Sequence, residues 1–177
     1  EAGDWGAWVQ GVQLSIFDVS DMANPQLKHK EIIGGRGTHS EANNDPKAFN
    51  YFPDRSALAF PIELYSAGTT GPQYGRHEFT GLLVYRVSVE NGFQRLGRLS
   101  TVPETPSPRG CFWDYYGSTR GVFIGDYVYA VSNLGVKSAP LEDASTVIGQ
   151  LDFTNAQPQE ACDFIMPLTA LRSVQDG

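Results

Sequence analysis

The sequence predicts an all-β fold built from repeated four-stranded antiparallel units, and three observations predict it. Apolar residues alternate with period two almost throughout the 177 residues, and no segment has the spacing of an amphipathic helix. Nineteen Gly and eleven Pro beside eight Tyr and ten Phe describe short strands joined by many turns. The third observation is an internal repeat. LSIFDVS from Leu14 and LLVYRVS from Leu82 match at nearly every apolar position, and each is followed by a turn and a second strand. Two further hairpins, AFNYFPDRSALAFPI and GVFIGDYVYAVS, resemble one another and alternate with the first pair. VIGQLDF from Val147 shares only the strand character. Hairpin, long loop, hairpin, long loop is the repeat of a β-propeller blade, with an interval of about 65 residues against roughly 45 in compact blades.

Taken in order, 12–20 reads as a strand and 26–33 as its partner. Residues 48–52 and 57–64 form a hairpin closed by Pro53-Asp54-Arg55-Ser56. Residues 81–88 and 93–101 form the next, around Glu90-Asn91-Gly92, and Asn-Gly is a strong hairpin signal. Residues 121–124 and 127–132 form another, with Gly125-Asp126 as a two-residue turn, and 146–153 is one further strand. With the strands of a blade named a to d, 12–33 supplies c and d of one blade and 48–101 a complete blade. Residues 121–153 supply a to c of a third, and 154–177 forms a tail; the whole of 1–177 is a single propeller segment. That is about two and a half blades, where a closed ring needs roughly four to eight. The expected partners are therefore the remaining blades of the same protein or a companion chain. The first residue is Glu1 rather than Met, which fits a processed product or a segment of something longer.

Composition excludes several classes. A net charge of −7 argues against a nucleic-acid surface, which needs clustered Lys and Arg. No apolar run approaches the roughly 18 residues of a membrane span. Hydrophobic content of 41% is too high for a disordered tail. The two cysteines, Cys111 and Cys162, are far apart and too few for a zinc site, so the expectation is one disulfide pinning the loop before the third blade to the tail, with two buried thiols as the alternative. An acidic, thiol-poor, aromatic chain leans towards a secreted or cell-surface location.

Asp18, Asp21 and Asn24 recur every three residues in IFDVSDMANPQL, a spacing that raises the question of a metal loop. The Gly at position six and the Glu at position twelve of an EF-hand are missing, while Asp, Asn and Pro are what a turn uses to bond its own amides and fix φ. The stretch reads as a turn between strands c and d.

The residues GVQLSIFDVSDMANPQLKHKEIIGGRGTHSEA, followed by KAFNYFPDRSALAFPI and later IGDYVYAVS, resemble the secreted bacterial and archaeal proteins with a C-terminal β-propeller domain, distantly related to WD40-type propellers. The resemblance spans about residues 11–153 and implies a fold and a secreted address but no reaction. Members commonly carry an aromatic and a His between SEA and KAF. Here Asn43-Asn44-Asp45-Pro46 stands there, so no role for that His carries over.

Blade geometry says where a site belongs. Turns a–b and c–d lie on one face of a propeller, and connections b–c and d–a on the other. The second kind is long here, at 34–47, 66–80, 103–120 and 133–145, which places all four long loops on one face, where binding and catalysis concentrate. The candidates on that face are Arg36, His39, Glu41 and Asp45, then Arg76, His77 and Glu78, then Trp113, Asp114 and Arg120. Glu41 with Asp45, or Glu78 with Asp114, would form a general acid and base if they converge. His39 and His77 with carboxylates would instead hold a metal. The plainer alternatives are loop histidines bonded to backbone, arginines paired with neighbouring acids, and aromatics packed along a loop. GGRG is no phosphate cradle, since no Lys-Ser/Thr and no helix follow, and no hydrolase or metalloprotease motif occurs.

Three functions follow. The first is a non-enzymatic extracellular binding or scaffolding module acting through the long-loop face on a surface polymer, a peptide or a partner protein, with no cofactor. The second is a propeller hydrolase or lactonase with a central calcium. The third is a structural subunit whose open strands are completed by another chain.

Overall fold

The computed structural model describes residues 2–3, 6–7, 10–68, 73–102 and 118–153. Its strands are β1 (Ala2–Gly3), β2 (Gly6–Ala7), β3 (Val12–Asp18), β4 (Gln26–Ile33), β5 (Asn50–Phe52), β6 (Ala57–Tyr65), β7 (His77–Ser88), β8 (Gly92–Ser100), β9 (Arg120–Ile124), β10 (Tyr127–Val131), β11 (Gly135–Pro140) and β12 (Gly149–Asp152). The helical elements among the described residues are single 3-10 turns, including Glu41–Asn43 and Pro46–Ala48. Two strands pair in β3–β4, and the larger sheets run β5-β6-β7-β8 and β9-β10-β11-β12, each antiparallel and each in chain order. These are the meanders that the all-β, four-stranded expectation describes.

The sheet β5–β8 lies between the other two, and its second strand shows why. The run ALAFPIELY of β6 is buried for eight of its nine residues. Side chains alternate across a strand, so a continuous apolar run means both faces are covered. Large residues point one way: Leu58, Phe60, Ile62 and Leu64 join Val12, Leu14 and Ile33 in the core shared with β3–β4. Small ones point the other way, where Ala57 and Ala59 join Leu82, Val84 and Leu99 against Val128, Ala130 and Ala139. The second contact is close. A Cβ on Gly121 would lie 2.7 Å from the Cβ of Ala59, so the sheets approach nearer than a side chain at Gly121 allows.

Within the first core Tyr85 is fully buried, stacked on Phe60 at 6.1 Å, with its hydroxyl donating to Glu31 Oε1 at 3.0 Å. Burial pushes its phenol up to about 12.

Two expectations need correction. Residues 121–153 hold a full four-stranded sheet rather than strands a to c, because β11 lies inside what reads as the long loop 133–145. Its sequence, GVKSAP, carries only Val136 and Ala139 as apolar signals, and its place between β10 and β12 comes from ladder pairing rather than alternation. The face assignment changes with it. The β10–β11 link is a tight turn, and the long link is β11–β12, whose Leu141 N–H donates to the carbonyl of Asp126 in the short β9–β10 turn. The long β11–β12 link therefore lies at the short-turn end, away from the segment 34–48. The other correction is that β7 begins at His77, which puts His77 and Glu78 on a strand rather than in a loop.

The β11–β12 link also latches the outer edge of the preceding sheet. Ala144 N–H donates to Leu96 O at 3.1 Å, and Arg98 N–H to Ser145 Oγ at 3.3 Å, across Gly97. The ion pairs Arg55–Asp126 and Arg86–Glu142 join the same two sheets at the short-turn end.

Candidate functional site

The segment 34–48 is the piece of chain that builds the long-loop end. Strand β5 pairs with only Ala57, Leu58 and Ala59 of β6, so the rest of that β6 edge needs other partners. The segment GGRGTHSEA supplies them. Ser40 Oγ donates to Pro61 O, His39 and Glu63 exchange backbone bonds at 3.1 and 2.9 Å, Tyr65 N–H donates to Thr38 Oγ1, and Gly35 N–H to Tyr65 O. Gly37, at φ +103°, makes the turn against the ring of Tyr65. The glycines in the motif are thus there for close backbone approach, and no anion is needed to explain them.

Between this segment, β6, β7 and the start of β9 opens a cleft of about 450 Å³. His39, Ser40, Glu41, Asn43, Asn44, Glu63, Thr80, Ser118 and Thr119 line it. Glu63 is buried, at 4% exposure, and holds two partners: His39 Nε2 at 2.9 Å from Oε2, and the Tyr65 hydroxyl, which donates to Oε1 at 2.8 Å. His39 Nδ1 lies 3.0 Å from its own Gly37 carbonyl. Both ring nitrogens therefore face acceptors. The ring is thus held between a carboxylate and a backbone carbonyl.

At the mouth, Arg120 at the first position of β9 reaches two acids of the segment. Its Nη1 donates to Glu41 Oε2 at 2.8 Å and to Thr119 O at 3.0 Å, and its Nη2 to Asp45 Oδ2 at 2.5 Å. Ser118 Oγ also donates to Glu41, at 3.2 Å. Glu41 above all holds the guanidinium protonated beyond its already high range. The carboxylates proposed as a general acid and base do converge, but on a single cation that pairs with both.

The other candidates lie apart. Arg36 sits 4.7 Å over the ring of Tyr74, and Arg76 is exposed beside Ser66, to whose Oγ its N–H donates. His77 Nε2 is 2.8 Å from Thr80 Oγ1, with the imidazole edge-on to Tyr65. Glu78 borders a second cleft, of about 410 Å³, shared with Glu31 and Arg95. Trp113, Asp114, Cys111 and Cys162 lie outside the described residues, and with them the Glu78–Asp114 pair, the disulfide and the tail 154–177. Among the described residues no group of three or more His, Cys, Asp or Glu is placed to hold a metal, and no helix is long and apolar enough to cross a membrane. Glu63 and Tyr65 escape sequence reasoning because they sit in an apolar strand; the lone acid in ALAFPIELY is the signal that finds them.

Stacked four-stranded meanders, each burying a face on the next, match the family model of a beta propeller domain over residues 1–144. The chain belongs to the beta propeller domain family. No curated protein and no solved structure matches it. In this propeller the sheets β5–β8 and β9–β12 are blades, and the cleft lies between them at the end where the b–c and d–a connections emerge.

Proposed function

We propose that this propeller is a non-enzymatic module outside the cytoplasm that binds or scaffolds a surface polymer through the inter-blade cleft at its long-loop end. One observation carries the reading: the groups in the cleft able to do chemistry are already engaged. Glu41 and Asp45 are held by Arg120, and both nitrogens of His39 face acceptors. The exposed amides of Asn43 and Asn44, with the hydroxyls of Ser118 and Thr119, supply neutral donors and acceptors beside them. Such a lining suits a polymer rich in hydroxyl and amide groups, and a phosphate-rich one would need unpaired Lys or Arg. The acidic, cysteine-poor composition supports the extracytoplasmic address.

A second reading has an observation of its own. Strand β3 pairs only with β4 among the described residues, and its other edge presents backbone groups that a strand of another polypeptide would satisfy.

Sedimentation with insoluble peptidoglycan sacculi and with chitin tests the first reading. Wild-type chain is expected in the pellet, and the Asn43→Ala/Asn44→Ala variant in the supernatant with unchanged circular dichroism. Equal pelleting of both would remove the cleft from the account. Ester or lactone turnover that stops on chelation would establish the calcium hydrolase instead. A second chain co-purifying at fixed stoichiometry would support strand completion.

A further inference from the structure

The second cleft, of about 410 Å³, differs from the first in what its charges do. Glu31 of β4, Glu78 of β7 and Arg95 of β8 line it together with Ile32, Ile33 and Leu64. Ile33 and Leu64 are buried and give it an apolar wall. Among the described residues, neither acid nor Arg95 has an ion-pair partner. The charges that join the two four-stranded sheets are matched within the protein, as in Arg55 with Asp126, Arg86 with Glu142, and Arg120 with Glu41 and Asp45.

Tyr85 keeps Glu31 and Arg95 from neutralising one another. Its hydroxyl donates to Glu31 Oε1 at 3.0 Å, while the Arg95 guanidinium carbon lies 5.7 Å from the centre of its ring. The ring is fully buried and stacked on Phe60, so packing fixes it in place. A fixed phenol thus separates a half-buried carboxylate on one sheet from an exposed guanidinium on the next. Glu78, exposed at the second position of β7, adds another acid to the same cleft.

We propose that this cleft binds a basic amino acid of the lysine type, free or at the carboxyl end of a peptide. The shared chemistry is a carboxylate and an ammonium group joined by an alkyl chain. The carboxylate answers Arg95, whose planar fork of donors matches it, and ammonium groups answer Glu31 and Glu78. The alkyl chain covers the wall of Ile33 and Leu64. Two acids and one cation sum to a single negative charge, which the two ammonium groups and one carboxylate of free lysine balance. An acidic ligand would set its charge beside Glu31 and Glu78, and a neutral sugar would leave all three charges unanswered. This inference goes beyond the polymer-binding reading and concerns a different cleft, so either fails without the other.

Titration calorimetry of the protein with L-lysine tests it. Lysine is expected to bind saturably, and norleucine, which lacks the side-chain ammonium, to bind roughly three- to tenfold more weakly. Arg95→Gln should weaken lysine by a similar factor and leave cadaverine, which has no carboxylate, unchanged; a general loss of structure would weaken both. Glu78→Gln should weaken lysine and cadaverine alike. Nα-acetyl-lysine binding as tightly as lysine would assign the site to a peptide end, and weaker binding to the free amino acid; either keeps the proposed chemistry. Three results overturn the inference: no saturable heat with lysine, norleucine binding as well as lysine, or a loss of lysine binding in Asn43→Ala/Asn44→Ala equal to that in Glu78→Gln, which would place the ligand in the first cleft.

Discussion

Arg120→Gln removes the cation that ties the loop segment 34–48 to β9 and should destabilise the chain measurably. Arg120 makes charge-assisted bonds to Glu41 and Asp45, with the side chains about one-third exposed. Each such pair is worth about 0.2–1 kcal/mol when solvent screens it. Two pairs, together with the repulsion left between two acids that have lost their shared cation, put the loss at about 1–2 kcal/mol. For a chain of this length that is a fall of roughly 3–6 °C in Tm. Glutamine retains the capacity to donate, so the change isolates charge better than alanine does. Differential scanning calorimetry in low and high salt is the assay, because partly exposed pairs weaken as ions screen them. The wild-type advantage should shrink in high salt, and Glu41→Gln in the Arg120→Gln background should cost less than in wild type. An unchanged Tm, or additive losses in that double-mutant cycle, would refute the idea that this cluster joins the blades.

Gly97→Val should destabilise by about 1–3 kcal/mol in urea unfolding, because a Cβ there would lie 2.5 Å from Ser145 N and break the latch, whereas Gly125→Ala, with nothing within 4 Å, should cost less even at its positive φ. Alkaline stability should follow Tyr85. Its folded-state value of about 12 exceeds the ordinary phenol value of 10.0, so its contribution is full below that ordinary value and is lost as pH rises towards 12; Tyr85→Phe should flatten this limb of a stability–pH curve. At the acid end, Asp18 is held down to about 2, first by the Ser20 hydroxyl, then by the Ser20 amide and Lys28. Carboxyl NMR titration of Ser20→Ala should move it back up, and an unmoved value would contradict that assignment.

The parts of the fold legible in sequence are those where burial writes a pattern. Strands β6, β7 and β10 announce themselves because both faces, or alternate residues, must be apolar. The Asn-Gly and Gly-Asp turns announce themselves by their backbone demands. Strand β11 does not, because it is placed by hydrogen bonding to β10 and β12 while its side chains are small or polar, and missing it misplaces a long loop. The candidate cleft was half visible. The segment holding His39, Glu41 and Asp45 stood out by composition, but that Arg120 would close on both acids across some 75 residues of chain is a property of blade stacking. Glu63 was hidden inside a hydrophobic run, and only its isolation there marks it.

The most direct test of the central claim is amide hydrogen exchange with and without a soluble peptidoglycan fragment. The account predicts slowed exchange at 39–44 and 118–120, none at the short-turn residues 53–56, and a fragment recovered chemically intact. Protection confined to the short-turn end, or a fragment cleaved during the incubation, would contradict it.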